Sequence, residues 1–149
     1  MLERKGFTII ELLIVIAVIA ILVGIALPRF KGMQDEGKIA QAKGELRTLQ
    51  SAVESYYIHQ NNTYPTALTL LTGTTIMPNL LGSVLPTDPF NSASNYTYAV
   101  NGTNYYIIYS VGPSKDGSAQ VSSSGVVTEP TNGASCIFVT NGSTRDTQP

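Results

Sequence analysis

The chain has 149 residues, a formal net charge of −1 and a single cysteine. This length fits one domain with a modest core. Because the charge is nearly balanced, nothing indicates nucleic-acid binding, which requires a basic patch or stripe. Charged residues are dense between Arg29 and Glu54 and sparse afterwards, where Ser, Thr, Asn, Gly and Tyr predominate. That distribution is typical of a neutral, polar, β-rich surface outside the cytoplasm.

The single cysteine, Cys136, cannot form a disulfide within the chain because there is no second thiol. It begins the apolar run Cys136–Val139. We favour the interpretation of a small buried side chain, and an intermolecular bridge is the alternative.

An apolar segment from Phe7 to Leu27 dominates the N-terminal part and is interrupted only by Thr8 and Glu11. At about 1.5 Å of rise per residue, such a helix spans roughly 30 Å, the thickness of the hydrocarbon core of a bilayer. A secretory signal peptide has a shorter apolar region with a small-residue cleavage site behind it. The sequence therefore predicts a membrane-spanning helix over residues 7–27, preceded by a short leader of residues 1–6. Basic residues flank the span on both sides, so the positive-inside rule does not fix its orientation.

Glu11 is the unusual residue of this segment, because a carboxylate within a membrane helix costs about 2.5–3.5 kcal/mol on insertion scales. In one interpretation, Glu11 lies near enough to the helix end to reach the lipid headgroups. In the other, which we favour, a cation at the same depth neutralises it. Cleavage between Gly6 and Phe7 would create such a cation, the α-amine of Phe7, and the amine of a staggered neighbouring copy would then meet Glu11.

The run from Lys5 to Val15 is a basic residue and a glycine followed by Phe-Thr-Ile-Ile-Glu and an apolar stretch. It resembles the processing site of type IV prepilins and type II secretion pseudopilins. The resemblance implies that a membrane-embedded prepilin peptidase cuts after Gly6, on the cytoplasmic side, and methylates the new amine of Phe7. It also implies that Glu11 and Phe7 make the filament assembly contact. A glycine suits the cut because it lets the backbone approach a peptidase closely.

The same resemblance implies an orientation. The leader lies in the cytoplasm, and the remainder belongs to a single-pass protein of the bacterial inner membrane whose C-terminal head is in the periplasm. The assembled form would be an extracytoplasmic filament.

Beyond the span, residues 28–60 are predicted to form an amphipathic stalk helix. Pro28 removes a backbone donor and clashes with the preceding turn, so with Gly24 it predicts a kink or a locally melted stretch. Apolar positions then recur at spacings of three and four: Ile39, Ala42, Leu46, Leu49, Val53 and Tyr56. We interpret this stripe as the cover of a sheet rather than a coiled-coil seam. The helix is expected to end near His59, a surface histidine rather than a ligand.

Residues 61–149 are predicted to form an extracytoplasmic globular head. Alternating apolar residues and turn signals predict strands: a hairpin from Asn95 to Val111 with a turn at Asn101-Gly102, a short pair at Val121 and Val126-Val127, and a last strand at Ile137–Thr140. Tyr106 and Ile108, on the second face of the hairpin, indicate that this face is partly covered too. The predicted fold class is α+β, a long N-terminal helix packed on a small antiparallel β-sheet head, which is the type IV pilin fold.

The head segments Leu85–Phe90 and Ser110–Pro113, with the tyrosine-rich hairpin between them, resemble the major pseudopilin of type II secretion. Major pseudopilins typically bind calcium in a C-terminal loop with several acidic residues. Here the corresponding stretch has one carboxylate, Asp116, beside Lys115, whereas calcium takes about 6–8 oxygen ligands. We therefore expect no cofactor, with Asp116 as a weak candidate ligand for calcium.

The sequence contains no set of residues typical of a catalytic site, so we expect no enzyme. There is no Cys/His metal spacing, no phosphate-binding glycine loop and no paired carboxylate near His59. The resemblance implies a structural subunit of a type II secretion pseudopilus that polymerises from the inner membrane. Its implied partners are copies of itself, related minor subunits, the prepilin peptidase, the inner-membrane assembly platform and the lipid bilayer.

The alternative is a pilin of a type IV surface pilus, used for adhesion or motility. Such pilins often close a C-terminal loop with a disulfide, which Cys136 alone cannot form.

Overall fold

The computed structural model describes residues 6–72, 81–128 and 136–144. Its elements in chain order are helix α1 (Ile9–His59), a 3₁₀ turn (Leu68–Leu71) and strands β1 (Thr97–Asn101), β2 (Tyr105–Ser110), β3 (Gln120–Val121), β4 (Val126–Thr128), β5 (Ile137–Thr140) and β6 (Ser143–Thr144). The contacts divide the chain into two compact units, Met1–Gly37 and Lys38–Pro149. The α+β class is confirmed, and the predicted domain boundaries stay predictions.

Helix α1 has 51 residues and ends where the sequence predicted. Asn61 and Asn62 take left-handed backbone conformations, with φ of 57° and 56°, and asparagine tolerates this region better than most residues. His59 is exposed, and its ring Nδ1 lies 2.7 Å from the carbonyl oxygen of Ser55. Its surface position is therefore confirmed.

Gly24 and Pro28 lie within α1, whose helical assignment continues without a break across both residues. The expectation of a locally melted stretch is therefore wrong for this structure. Pro28 has no backbone N–H, and the helix continues despite the loss of that one hydrogen bond. The alternative expectation, a kink, stays a prediction.

The apolar stripe of α1 forms the main core, as predicted. Its fully buried members are Ala42, Leu46, Leu49 and Val53, with Ala52 also buried beside them. Ile39 and Tyr56, at the ends of the stripe, are partly buried against the same cluster. The stripe packs on buried side chains of the head, including Tyr106 and Ile108 of β2, so it covers a sheet.

The strands form two three-stranded sheets rather than the single sheet that the sequence predicted. The first has the order β1-β2-β5 and is antiparallel throughout. The second has the order β3-β4-β6, in which β6 pairs with β4 in parallel. Strand β6 was missed because it has two polar residues, too few for any alternating pattern. The predicted β3–β4 pair and the last apolar strand are both confirmed.

The hairpin turn contains three residues instead of two. Asn101 pairs with Tyr105 across the ladder, which leaves Gly102 to Asn104 as the loop. Gly102 has φ of 62°, a conformation that glycine adopts without strain. The resulting register places Tyr98 opposite Ile108 and Val100 opposite Tyr106.

Both faces of the hairpin are covered, as its sequence indicated. On the helix side, four residues belong to the core cluster that contains the buried stripe of α1: Tyr98, Val100, Tyr106 and Ile108. On the other side Ile107 is fully buried in a cluster with Ala119, which precedes β3, and with Val121 and Val127 of the second sheet. This alternation explains why β2 has the consecutive buried residues Tyr106–Ile108.

Two tyrosine hydroxyls connect the hairpin region to α1. The hydroxyl of Tyr96 donates a hydrogen bond of 2.6 Å to Glu45, and that of Tyr106 donates one of 2.7 Å to Glu54. Burial, and then the bond to the carboxylate, raises the pKa of each of these tyrosines. Each ring therefore fills apolar space while its polar end is satisfied.

Asp88 is buried and fastens the loop before β1 to the end of β2. Its carboxylate accepts hydrogen bonds from the Phe90 amide at 2.9 Å, the Ser110 hydroxyl at 2.8 Å and the Val111 amide at 3.0 Å. Hydrogen bonds of this kind offset the cost of burying a charge. The bond from the Phe90 amide, two residues further along the chain, makes Asp88 the start of a turn that its own carboxylate closes.

Leu49→Ala should lower the free energy of unfolding by about 2–5 kcal/mol, because the change leaves a cavity at a fully buried site. The measurement is urea denaturation of a fragment that starts at Arg29. This fragment should fold because, among the described residues, the buried core begins at Ala42. Ile58→Ala is the matched control: Ile58 lies on the same helix, is 71% exposed, and should change stability by less than about 0.5 kcal/mol. Equal effects of the two changes, or an unfolded fragment by circular dichroism, would contradict this account of the core.

Stability should fall in alkali because Tyr96 and Tyr106 have a raised pKa in the folded state, above the ordinary value of 10.0. Folding thus favours the neutral phenol. The contribution of each neutral phenol to the free energy of unfolding is complete below about pH 10 and is lost as the pH rises further. Each phenol adds up to about 1.4 kcal/mol per pH unit to the slope above pH 10. Tyr106→Phe should be less stable at pH 7 but show a shallower decline, measured by denaturation from pH 7 to pH 12. Parallel curves for the two proteins would refute this linkage.

Candidate processing and assembly site

Thr8 and Glu11 form a reciprocal pair at the start of α1. One carboxylate oxygen of Glu11, Oε2, accepts hydrogen bonds from the Thr8 amide at 2.9 Å and from the Thr8 hydroxyl at 2.7 Å. In return, the Glu11 amide donates to the Thr8 hydroxyl oxygen at 3.3 Å. This arrangement is a capping box, in which two residues three apart satisfy amides that a helix start leaves unpaired.

The capping role of Glu11 was missed in the sequence, although the signal was present. Thr8-Ile9-Ile10-Glu11 has the Ser/Thr-x-x-Glu spacing that marks a helix N-terminus. The pairing gives Glu11 a partner within its own chain, in addition to the neighbouring amine that the resemblance implies.

Gly6 and Phe7 precede the helix and lie outside any regular element. Both are exposed, Phe7 at 87%, and apart from the chain neighbours of Gly6 no atom of the described residues lies within 4 Å of the position that a Cβ on Gly6 would take. The bond between them is thus unobstructed by the described part of this chain. Cleavage at this bond and methylation of Phe7 stay predictions, and most of the leader, residues 1–5, lies outside the described residues.

The first half of α1 exposes apolar side chains on all sides. Large residues from Ile9 to Leu27 are between 47% and 81% exposed, and these extremes are Val23 and Ile9. Within the described residues, α1 alone is long and apolar enough to cross a membrane, by length and composition. A helix that is apolar all round requires an apolar environment. This matches the membrane span predicted over residues 7–27.

Asp116, the weak candidate for calcium, is exposed in a tight turn. The turn is closed by hydrogen bonds from the Lys115 amide to the Gly112 carbonyl and from the Gly117 amide to the Val111 carbonyl, both at 3.0 Å. Across residues 6–72, 81–128 and 136–144, no three His, Cys, Asp or Glu side chains are grouped so as to hold a metal. The expectation about calcium stays a prediction.

Cys136 is half-buried, not fully buried as the favoured interpretation held. It packs against the second-sheet cluster that surrounds Ile107. Its Sγ lies 3.6 Å from the Ser118 carbonyl oxygen. A Cβ at Gly117 would lie 2.5 Å from the Val111 carbonyl oxygen and 2.9 Å from the Cys136 Cβ, so the close packing here requires a glycine.

Family comparison gives two matches, which divide the chain at Pro28. Residues 1–27 match the prokaryotic N-terminal methylation motif, and residues 29–128 match type II secretion system (T2SS), protein G. The second match extends over α1 beyond the span and over the hairpin and the β3–β4 pair. The chain belongs to the type II secretion system protein G family. The resemblance proposed from the sequence is therefore confirmed.

The individual relatives include a type II secretion system protein, a type IV pilin and a fimbrial protein. The type II secretion system core protein G of Pseudomonas aeruginosa is 28% identical over 122 residues, which cover 74% of this chain and 84% of that protein. The type IV major pilin protein PilA of Myxococcus xanthus is 45% identical over 55 residues, or 37% of this chain and 25% of the pilin. The fimbrial protein EcpB of Eikenella corrodens is 46% identical over 59 residues, or 40% of this chain and 37% of that protein. The chain thus spans well under half the length of either pilin, and no solved structure matches it.

Processing should be visible in the mass of the mature protein. We expect the loss of residues 1–6 and the gain of one methyl group on Phe7, measured by intact-mass and peptide mass spectrometry. Gly6→Ala should be cut more readily than Gly6→Val, because the constraint at this position is the close approach of the backbone. Assembled protein that retains its leader, or equal cutting of the two variants, would argue against this site.

Proposed function

We propose that this member of the protein G family is a structural subunit of a type II secretion pseudopilus, which polymerises from the inner membrane and helps to drive protein export. The supporting observation is a helix that exposes apolar side chains on all sides and carries one carboxylate, Glu11, in its first turn. Such a surface suits a bilayer before assembly and a bundle of identical helices afterwards. The head, in contrast, has its own closed core.

The proposed sequence of events follows from the chemistry at the N-terminus. A prepilin peptidase removes residues 1–6 on the cytoplasmic side and methylates Phe7. The new amine of an incoming copy then pairs with Glu11 of a neighbour, so that neither charge stays unpaired in the apolar layer. Repetition of this contact along staggered copies builds a helical filament in the periplasm.

The proposal assigns the remaining partners by their roles in this cycle. The lipid bilayer holds the subunit before assembly, an inner-membrane platform adds it to the filament base, and related minor subunits join the same filament. The head acts as a rigid body and not as an enzyme, and nucleic acid has no role. Calcium is not part of the proposal, since Asp116 stands alone on an exposed turn.

A surface pilus is the second candidate function, and the pilin relatives from Myxococcus and Eikenella are the observation in its favour. Those matches cover at most 40% of this chain. The protein G relative covers 74%, and the protein G family match includes most of the head. The balance therefore favours the pseudopilus.

Deletion of the gene should abolish export of secreted proteins and leave surface fibres intact, and the opposite result would support the pilus.

Glu11→Ala should abolish or greatly reduce filaments while the head folds normally. The change removes a charge from an apolar span, so insertion becomes easier, by up to about 2.5–3.5 kcal/mol on insertion scales. Assembly suffers because the amine of the incoming copy is left unpaired. Glu11→Gln should fail similarly, since it keeps the shape without the charge. The measurement is the amount of sheared filament per membrane-inserted subunit.

Glu36→Ala is the matched control for Glu11→Ala, because it removes an exposed carboxylate from the same helix outside the predicted span. It should leave filament yield close to that of the unmodified protein. Normal filaments built from Glu11→Ala subunits alone would show that the carboxylate is not an assembly contact. The interpretation in which Glu11 reaches the headgroups would then stand.

A further inference from the structure

A tight turn of residues 111–117 lies between β2 and β3 in the head. A hydrogen bond of 3.0 Å from the Gly117 amide to the Val111 carbonyl oxygen joins its two ends. Inside it, the Lys115 amide donates to the Gly112 carbonyl oxygen, also at 3.0 Å. The turn is therefore closed by its own backbone.

The buried carboxylate of Asp88 fixes the start of this turn. It accepts hydrogen bonds from the Val111 amide at 3.0 Å and from the Ser110 hydroxyl at 2.8 Å. The oxygen of that hydroxyl in turn accepts one from the Gly112 amide at 3.2 Å. Asp88 and Ser110 are only 2% and 0% exposed, and hydrogen bonds shielded from water in this way are electrostatically stronger than exposed ones.

Close packing fixes the end of the turn. Gly117 is buried, and a side chain there would meet the Val111 carbonyl oxygen on one side and Cys136 on the other. Cys136 directly precedes β5, and its Sγ lies 3.6 Å from the carbonyl oxygen of Ser118, the residue after Gly117. The end of the turn is thus fastened to the start of β5.

By the resemblance that the sequence shows, this turn corresponds to the calcium loop of major pseudopilins, and its donor set does not suit that ion. Calcium takes about 6–8 oxygen ligands, often including several carboxylates. Asp116 is the one carboxylate of the turn, and the neighbouring Lys115 adds a positive charge that opposes a cation. The carbonyl oxygens of Val111 and Gly112 already accept amides. The residues of this turn therefore do not fit calcium.

We infer that the turn after β2 is held by protein contacts alone and that the head folds without a bound divalent cation. Asp88 holds the start of the turn, and the contact of Gly117 with Cys136 holds its end. A cation that binds only the folded head stabilises it according to the cation concentration, whereas contacts within the chain act at every concentration. The head therefore keeps its stability where calcium is scarce. This inference goes beyond the proposed function, because it holds for a pseudopilus and for a surface pilus alike.

The first test is a calcium titration of the full-length protein in detergent micelles. The measured quantity is the melting temperature of the head by near-UV circular dichroism, since all eight tyrosines lie between Tyr56 and Tyr109. Samples contain either EGTA or about 10 mM calcium, which exceeds the roughly 10⁻⁴–10⁻³ M at which extracellular modules bind this ion. We expect a difference of less than about 1 °C, whereas an occupied site would add several degrees.

The second test is Gly117→Ala in the same protein. The added methyl group must displace the Val111 carbonyl or Cys136, so we expect the melting temperature to fall by about 4 °C or more. Gly44→Ala is the matched control. Gly44 is exposed on α1, and apart from neighbouring helix backbone no atom of the described residues lies within 4 Å of the added Cβ. This control should melt at the same temperature as the unmodified protein or slightly higher, because alanine favours a helix.

A rise of several degrees on adding calcium to the unmodified protein would overturn the inference, and this result does not depend on whether any variant folds. Asp116→Ala then locates the cation: loss of the rise places it at the turn, and a retained rise places it elsewhere in the chain. Equal melting temperatures for Gly117→Ala and the unmodified protein would also overturn the inference, because the packing at Gly117 would then not hold the turn.

Discussion

The burial of one face of α1 against strand β2 is the contact on which the head depends. Leu46, Leu49 and Val53 are fully buried there, as are Tyr106 and Ile108 opposite them. Fully burying one such side chain contributes roughly 1.5–3 kcal/mol. A two-stranded hairpin is marginal by itself in water, so the hairpin needs the helix as a cover, and the helix needs the sheet to remove its stripe from solvent.

Two hydrogen bonds make this packing specific. Apolar contact is non-directional, and a helix could slide along a sheet by a turn at little apolar cost. The hydroxyls of Tyr96 and Tyr106 reach Glu45 and Glu54, which are nine positions apart on α1. A shift of the helix would leave both buried hydroxyls without acceptors, at a cost of about 1–3 kcal/mol each. The pairs therefore fix the register of the helix on the sheet.

The first part of the same helix has a surface suited to lipid and not to water. Its large apolar side chains from Ile9 to Leu27 are exposed all round. Such exposure is unfavourable in water, whereas it has no such cost in the hydrocarbon core of a bilayer. Between helices in a bilayer there is no hydrophobic driving force, so association relies on close packing and polar contacts. A lone Glu11, already held by Thr8, is the polar group that this segment offers for such a contact. One continuous helix thus contains an exposed apolar segment and, further along, the stripe that is buried in the head core.

The sequence by itself determined the elements whose signals are local. The length of the apolar run predicted the span, the spacing of three and four predicted the buried stripe, and alternation predicted the hairpin. The Thr8–Glu11 capping box was equally readable. Tertiary structure alone decided the second sheet, the parallel β6, and the acceptors of Tyr96 and Tyr106, which lie 51 and 52 residues away. These depend on which distant segments meet, and periodicity records only which face of a segment is apolar, not what lies against it.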